Sequence, residues 1–350
     1  MSFISADEVL FWPGSLISAE GDIVAPYDLE HANEPLSAYR PSTCDPRIKH
    51  AKSAPFRIDW SAIAAVHVIN GMGVTLGDSI IGLTAIAAIK ARFPQVRVHV
   101  YRPARAPRYV EDIYALASGL VIDRCEALPY SLARLPVDET IIDVGNHLFW
   151  PRFSDTPMID FFLDALGVEP STVEPSHKCN EWLRSLPING RTFARKQGAY
   201  ALFSPSASTP LRSIPESVRA RLVDAVYRKY GMTVLGFGPV DHPAYRNIAP
   251  ESTSTEAFLE WIAGACFVMT GDSAAVHIAA GFGITTIAFF SSIEPQLRVR
   301  DYAHCHPVTL DVPTLRSLQA SNRQGDVHLV ERAFADVLAT GSLRLPDLGC

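Results

Sequence analysis

The most restrictive feature of this sequence is an apolar stretch at residues 273–293, which contains no Asp, Glu, Lys or Arg and a single histidine, His277. Gly281 and Gly283 divide it into about eleven residues typical of a helix and six that are typical of a strand. Each piece is too short to cross a bilayer, which takes about 20 helical residues. Both fit an α/β core, where elements are covered on both sides. The sequence therefore predicts no membrane span, and peripheral membrane contact stays open.

The same alternation of strands, glycine loops and helices occurs elsewhere in the chain. A strand at 63–70, a glycine loop at 71–77, a helix at 78–94 and a strand at 96–100 form the strand–helix–strand unit of a parallel sheet. The pattern weakens near residues 168–198 and then restarts. Two successive halves of this kind predict an α/β protein with two doubly wound, Rossmann-like domains that face a cleft.

These patterns define three regions. Residues 1–60 are irregular, apart from a hairpin predicted at 14–25, and the simplest interpretation is an appendage that covers a sheet edge or joins a subunit contact. We expect the appendage at 1–60, a first Rossmann-like domain at 61–185 and a second Rossmann-like domain at 186–350 that includes a C-terminal helix.

Composition excludes several classes of function. The formal net charge is −6 and no basic run occurs, which argues against a nucleic-acid partner. The six cysteines are scattered without a C-x-x-C pair, so a zinc cluster has no sequence support and no metal site is predicted. We expect no bound cofactor. The N-terminus lacks a basic leader followed by an apolar core, so we expect a cytoplasmic protein. Nothing in the sequence indicates an oligomeric state.

The first motif that carries chemistry is the loop "GMGVTLGDS" between a strand and a helix. Glycines at this place let the backbone approach a ligand, although Gly71, Gly73 and Gly77 do not fit G-x-G-x-x-G. Asp78 stands at the head of the helix. It is either an N-cap or a carboxylate at the mouth of the first sheet, and the two roles can coexist.

Two loops of the second half are suited to a diphosphate. Ser206, Ser208 and Thr209 lie just before a helix, with Arg212 beside them, and a helix N-terminus with small polar residues and an arginine favours an anion. The alternative is an ordinary loop with a solvated arginine. Ser213, three residues before Glu216, predicts a capping box.

The other loop, "TGDSAAVH", leads from a strand into a helix. Asp272 and Ser273 stand at the junction, and the N–H groups of residues 273–275, including Ala274, favour a phosphate. His277 is either a core residue or part of this site. Two further glycines, Gly236 and Gly238, let a nucleotide base or ribose lie against the backbone.

Taken in order, these loops resemble the heptosyltransferase-like glycosyltransferases of the GT-B fold, glycosyltransferase family 9. Gly77-Asp78 is similar to the glycine-aspartate at the start of the family's first helix. "PSASTPLRSIP" resembles the family loop P-G-A-S-x-x-K-x-W-P, with Ser206, Arg212 and Ile214 in place of glycine, lysine and tryptophan.

"DSAAVHIAAGFGITT" resembles the family's signature D-S-G-P-M-H-L-A-A-A-x-G-x-P-T and departs from it at Ala274 and Ala275. The similarity covers roughly residues 63–305.

The resemblance implies metal-independent, inverting transfer of a heptose or hexose from a nucleotide-diphosphate donor, commonly ADP-heptose, in bacterial glycoconjugate biosynthesis. Asp78 would be the general base, Arg212 would balance the leaving diphosphate, and Asp272 and Ser273 would hold the donor with His277 beside them. The domain at 61–185 would then be the acceptor-side domain and the domain at 186–350 the nucleotide-sugar-binding domain. The acceptor would be a glycan, a lipid-linked sugar, a protein or a small molecule. Residues expected on its side are Gly73, Gly77, Arg102 and Arg105, although the arginines fit a solvated basic loop equally well.

Two other functions fit the same pattern. A nucleotide-sugar epimerase or hydrolase of the GT-B fold would need a second acid/base, for which Glu111, Asp112 and His147 are candidates. A non-catalytic nucleotide-sugar-binding assembly protein would use the N-terminal hairpin as its interaction surface.

Overall fold

The computed structural model describes residues 4–32, 39–188 and 198–348. The chain divides into two compact units, Met1–Lys178 and Cys179–Cys350. The predicted appendage thus belongs to the first unit, although its residues 1–3 and 33–38 lie outside the described part. The predicted domain start at 186 lies within the second unit, just before the undescribed residues 189–197.

The first unit contains a parallel sheet and a smaller antiparallel sheet. Its strands are β1 (Leu16–Ile17), β2 (Asp22–Val24), β3 (Arg40–Pro41), β4 (Ile48–Lys49), β5 (Ala65–Ile69), β6 (Arg97–Arg102), β7 (Arg124–Ala127), β8 (Tyr130–Ser131) and β9 (Thr140–Asp143). Its helices are α1 (Ala6–Val9), α2 (Pro26–Glu30), α3 (Leu76–Arg92), α4 (Arg108–Ala117) and α5 (Met158–Ala165). Within the described residues, five strands pair in parallel in the order β4-β9-β5-β6-β7.

Helix α3 crosses between β5 and β6, which confirms the strand–helix–strand unit read from the sequence. The helix is buried along most of its length and has Lys90 and Arg92 in its last turn, where cations favour the helix dipole. Thr75 is the N-cap, and its hydroxyl accepts from the backbone N–H of Asp78 at 3.4 Å. Asp78 therefore lies in the first turn, and of the two roles considered for it the N-cap belongs to Thr75 instead.

The N-terminal segment is an integral part of the first unit. Strands β1 and β2 pair antiparallel, which confirms the predicted hairpin, and β3 and β8 extend them into a small sheet. From this hairpin Ile23 and Ala25 pack in one apolar cluster with residues of the parallel sheet, among them Ile69 and Tyr101. Strand β4 pairs with β9 at the edge of that sheet. The segment therefore supplies both an edge strand and a cover for one face.

A buried carboxylate ties this segment down. Asp143, at the end of β9, accepts from the N–H and hydroxyl of Ser15 at 2.6 and 2.9 Å and from the hydroxyl of Ser42 at 2.5 Å. It also accepts from the N–H of Gly145 at 2.8 Å. Because a buried charge is costly unless it is hydrogen-bonded, Asp143 specifies where the N-terminal segment docks.

The second unit has its own parallel sheet. Its strands are β10 (Tyr200–Ser204), β11 (Thr233–Gly236), β12 (Tyr245–Asn247), β13 (Phe267–Gly271), β14 (Thr286–Phe290) and β15 (Cys305–Thr309). Its helices are α6 (Glu216–Tyr230), α7 (Thr255–Ala263), α8 (Ala274–Phe282), α9 (Gln296–Val299) and α10 (Gln324–Ala339). In the part of the chain that is described, the strand order is β12-β11-β10-β13-β14-β15. The C-terminal helix α10 packs on this unit through Val330 and Phe334.

The apolar stretch at 273–293 forms α8 and β14. Helix α8 ends at Phe282 and is followed by the C-cap Gly283, which adopts the left-handed conformation with φ +72°. Strand β14 is fully buried between β13 and β15. The predicted division into helix and strand is confirmed, and no helix in the described ranges has the length and apolarity that a membrane crossing requires.

Some local predictions are wrong. In place of the strand expected at 119–123, residues 119–121 form a turn and Ile122 makes an isolated bridge with Ser118, so that β7 starts at Arg124. Ser213 is not a helix cap, because Pro215 occupies that position of α6. The Ser213 hydroxyl instead accepts from the N–H of Ala207 at 2.9 Å and donates to the carbonyl of Thr209 at 3.0 Å, which closes the loop after β10.

The environment of His50 makes the first unit sensitive to acid. Burial lowers the pKa of His50 from its usual 6.5, against the opposing effect of Asp143. Because the unfolded chain then binds a proton more readily than the folded chain, stability falls as the pH drops below 6.5. His50→Phe keeps the ring packing on Trp150 and should reduce this slope by up to about 1.4 kcal/mol per pH unit. Urea unfolding between about pH 7.5 and 5.5 measures the slopes, and equal slopes would contradict the expectation.

Candidate functional site

Strand order defines where ligands are expected in each unit. In the first sheet the chain runs outward from β5 to β6 and β7, whereas β9 pairs on the other side of β5. In the second sheet β10 has β11 on one side and β13 on the other. Open parallel sheets bind ligands at such reversal points, beyond the carboxyl ends of the strands. The loops after β5 and β9, and those after β10 and β13, are therefore the candidate sites.

The loops after β5 and β9 bring Asp78 and His147 together. His147 Nε2 lies 3.2 Å from Asp78 Oδ2. The His147 side chain is 1% exposed and that of Asp78 is 14% exposed, so Asp78 is the member of the pair that reaches the surface. The sequence pattern predicts Asp78 as a site residue, but it does not predict the contact with His147. The only sequence signal for His147 is its position just after a predicted strand.

The glycine loop is shaped around this pair. Gly73 has φ +70°, and a Cβ there would lie 2.6 Å from His147 Cε1 and 3.3 Å from Asp78 Oδ2. A glycine is therefore required both by the backbone conformation and by the histidine ring. Gly77 is the second residue of α3, next to Asp78. These contacts explain Gly73 without a ligand.

Arg102 supports the loop from inside the protein. Its Nη1 donates to the carbonyls of Gly71 and Gly73, the latter at 2.6 Å. Its Nε and Nη2 donate to Glu111 Oε1 at 3.0 and 2.7 Å, and the guanidinium lies over the Tyr114 ring at 4.0 Å. Because Arg102 is buried and these partners occupy its guanidinium, we assign it to holding the loop and not to the acceptor.

Arg105, the other arginine expected on the acceptor side, is exposed. Its backbone is fixed by the N-terminal segment, because the N–H groups of Ala104 and Arg105 donate to the carboxylate of Asp28 at 2.9 and 2.8 Å. Desolvation raises the pKa of Asp28, and these two N–H donors oppose the rise. The exposed side chain of Arg105 is therefore presented from a rigid loop.

In the second unit, Arg212 meets Asp272 and Ser208. Arg212 Nη2 donates to Ser208 Oγ at 2.5 Å, and Nη1 lies 3.4 Å from Asp272 Oδ2. Asp272 is buried, whereas the Arg212 side chain is partly exposed. A Cβ on Gly271 would lie 2.3 Å from the Arg212 carbonyl, so a glycine is needed where the two loops meet. The structure thus brings together residues of two loops that the sequence analysis treats as separate motifs.

Ser273 and Ala274 lie at the start of α8. Ser273 is the N-cap and accepts from the N–H of Ala275 at 3.3 Å, and Ala274 is the first helical residue. Ser206 is exposed in the loop after β10. Thr209 is buried, and its hydroxyl is bonded to the backbone of Ser321, with which it exchanges hydrogen bonds of 3.1 and 3.3 Å. Thr209 therefore anchors its loop through its hydroxyl, and its contact with a donor stays a prediction.

Gly236 and Gly238 form a tight corner after β11. A Cβ on Gly236 would lie 2.4 Å from the Phe203 carbonyl, and Gly238 has φ +96°. The Tyr245 hydroxyl donates to the Gly238 carbonyl at 2.7 Å. Burial raises the pKa of Tyr245 to about 12, so this donor keeps its proton at neutral pH. Both glycines have structural reasons for being there, which leaves their contact with a nucleotide a prediction.

His277 lies in the core of the second unit. Its Nδ1 is 2.9 Å from the Tyr302 hydroxyl, and Asn180 Nδ2 donates both to the His277 carbonyl and to that hydroxyl, at 2.9 and 2.8 Å. Burial raises the pKa of Tyr302, so the phenol stays protonated. We therefore assign His277 to this buried network and not to the donor.

Comparison with known proteins shows the fold. No protein-family model matches the sequence. No curated protein matches it either. The ADP-heptose LPS heptosyltransferase II of E. coli is similar in structure, with a TM-score of 0.50 and 16% identity over 80% of this chain and 100% of that one. A family 9 glycosyl transferase from Veillonella parvula DSM 2008 gives a TM-score of 0.52 and 13% identity over 81% and 99%.

At these identities the comparison shows fold alone. The chain has the α/β architecture of the GT-B glycosyltransferases, and the resemblance to family 9 is confirmed at that level.

Gly73→Ala tests how tightly the loop encloses His147. Gly119 has a similar φ of +77°, but none of the described atoms lies within 4 Å of the place that a Cβ would take there. Gly119→Ala therefore isolates the backbone cost, about 1 kcal/mol. Gly73→Ala should lose about 1–3 kcal/mol more, because it also pushes on the buried ring. The free energies of urea unfolding give both losses. Equal losses of unfolding free energy in Gly73→Ala and Gly119→Ala would show that the His147 ring moves aside without a measurable cost.

Proposed function

We propose that this protein is a glycosyltransferase that moves a sugar from a nucleotide-diphosphate donor to an acceptor hydroxyl with inversion, without a metal. The observation that carries the proposal is the position of Asp78. A partly exposed carboxylate lies at the reversal point of the first sheet, paired with a buried histidine, in a chain of GT-B fold.

Asp78 supplies the base that this reaction needs. The acceptor hydroxyl gives its proton to the carboxylate while its oxygen forms a bond to the anomeric carbon of the donor. The bond from that carbon to the diphosphate oxygen breaks, and its electron pair leaves with the nucleoside diphosphate. Attack from the side opposite the leaving group gives inversion. A positioned carboxylate contributes typically 10²–10⁴-fold to such a step.

The second unit supplies the donor site. Arg212 carries the positive charge for the diphosphate, and Asp272 and Ser208 hold the guanidinium in place. The start of α8, at Ser273 and Ala274, adds backbone N–H groups and the positive end of a helix. Charge-assisted bonds from arginine to phosphate are among the stronger polar contacts, and they stabilise a departing diphosphate.

We propose ADP-heptose as the donor, because the similar E. coli enzyme is an ADP-heptose transferase by name. The acceptor is a glycan, a lipid-linked sugar or a protein, and these classes form the panel for the assay. No bound cofactor takes part in the proposed reaction.

The epimerase or hydrolase alternative requires a second accessible acid/base. His147 is beside Asp78 but buried, and Glu111 is bound by Arg102. The third candidate, Asp112, lies 4.0 Å from Arg108 on the surface of α4. The environments of His147 and Glu111 favour transfer with one base, and Asp112 is the candidate on which the epimerase alternative depends.

Asp78→Asn tests the base. It removes the proton acceptor with little change in shape, so kcat should fall at least about 100-fold while donor binding stays within about twofold. Release of ADP from ADP-heptose with the acceptor panel gives kcat, and calorimetry with ADP gives binding. Asp138→Asn, which changes an exposed carboxylate of the same unit, is the control and should keep full activity.

Full turnover by Asp78→Asn would overturn the assignment of the base. A changed sugar that stays attached to its nucleotide would indicate an epimerase. If the wild type and Asp78→Asn both bind ADP and neither turns over the donor, the protein is a non-catalytic binder.

Arg212→Met tests the diphosphate site. Loss of the guanidinium should weaken ADP binding about 10- to 100-fold and AMP binding less, because AMP lacks the β-phosphate. Arg212→Lys should fall between, since a point charge replaces a fork. The matched control is Arg228→Met, which removes an exposed arginine of α6. An equal loss for ADP and AMP would place the diphosphate elsewhere.

A further inference from the structure

His147 is a buried histidine whose ring is hydrogen-bonded to the proposed base. The two ring nitrogens differ sharply in their surroundings: Nε2 lies 3.2 Å from Asp78 Oδ2, whereas Nδ1 is buried with no hydrogen-bond partner among the described residues. We infer that His147 is a positioning residue, which carries its proton on Nε2 and holds the Asp78 carboxylate by donating to it. This inference rests on the proposed function.

The hydrogen-bond chemistry fixes the tautomer. An ionised carboxylate only accepts hydrogen bonds, so the proton between the two groups belongs to Nε2. A proton on Nδ1 would be a buried donor without an acceptor, which costs more than a buried lone pair. The neutral ring with Nε2–H is therefore the form that satisfies both sides of His147.

The His147 ring is enclosed by neighbouring aromatic rings and by the glycine loop. The rings of Phe153 and Phe162 lie 4.7 and 5.1 Å from the His147 ring, centroid to centroid, and Gly73 closes the side toward the glycine loop. The His147 carbonyl accepts from the N–H of Trp150 at 2.9 Å. Because neighbours fix the ring, its N–H points in one direction, and the carboxylate that accepts from it is oriented as well.

The backbone before His147 is fixed by the N-terminal segment. Asn146 adopts the left-handed conformation with φ +51°, and its side chain donates to the carbonyls of Leu10 and Trp12 at 3.1 and 2.7 Å. Residues 10–12 thus hold the turn from which the histidine projects. The N-terminal segment contributes to the site in this way.

The exposures of the two side chains assign their roles. At 1% exposure His147 is closed to an acceptor, whereas Asp78 at 14% is open to one. During transfer the proton of the acceptor hydroxyl therefore moves to Asp78, and His147 keeps its own proton throughout. No charge is created on the ring, so its apolar surroundings oppose no step of the reaction.

His147→Phe and His147→Gln test this role. Phenylalanine fits the aromatic pocket but removes the donor, so kcat should fall about 10- to 100-fold while ADP binding stays within about twofold. Glutamine keeps an N–H near the place of Nε2 and should recover most of the loss. The matched control is His67→Phe, because His67 is a buried histidine of the same unit that also pairs with a carboxylate, Glu139, at 2.5 Å. It should keep the wild-type kcat.

The tautomer can be measured without any turnover. In protein labelled with ¹⁵N-histidine, the signals that vanish in His147→Gln belong to His147, and they should show the Nε2–H form and shift in Asp78→Asn. An Nδ1–H form, or no response to Asp78→Asn, would overturn the inference whatever the enzyme does.

The kinetic outcomes separate the two proposals. Activity retained in Asp78→Asn would refute the proposed function. An inactive Asp78→Asn beside a fully active His147→Phe would leave the function standing and refute only the positioning role. Equal losses in His147→Phe and His67→Phe would show a general effect of emptying a buried histidine site, and would also refute it.

Discussion

The first unit depends on the buried carboxylate of Asp143. Its charge is stabilised by donors from Ser15 and Ser42, far away in the sequence, and by the N–H of Gly145 two residues on. Since a buried ion is tolerated only with such donors, the N-terminal segment and the turn after β9 are fixed together. That turn continues into Asn146 and His147. The hydrogen bonds of Asp143 therefore also help to fix the position of His147, which contacts the proposed base Asp78.

The sequence was sufficient for the elements whose pattern is local. Apolar runs bounded by glycines located β5, α3, α8 and β14, whereas the edge strands β4, β12 and β15 are short or exposed and have no such pattern. Asp78 was found because it follows a glycine loop. His147 was not placed, because its contact with Asp78 depends on β9 pairing beside β5. Arg102 resembled part of a basic surface loop, and only the fold turns its side chain inward.

The second unit shows how a predicted anion site differs from an actual arrangement of charges. Sequence patterns indicated a cation at Arg212 and an acidic residue at Asp272 as separate features of two loops. In the folded unit Asp272 is the partner that orients the guanidinium, and Ser208 holds its other end. A diphosphate would therefore meet an arginine that is already in position, so that less rotamer entropy is lost on binding than for a free side chain.

The β1–β2 hairpin has a consequence for where the first unit really begins. A chain that started at residue 61 would lose the cover that Ile23 and Ala25 give to Ile69 and Tyr101, and would remove β4 from the edge of the sheet. The unpaired strand edge and the exposed apolar face that result are typical of proteins that aggregate. The N-terminal residues are therefore part of the folded first unit, in spite of their irregular sequence.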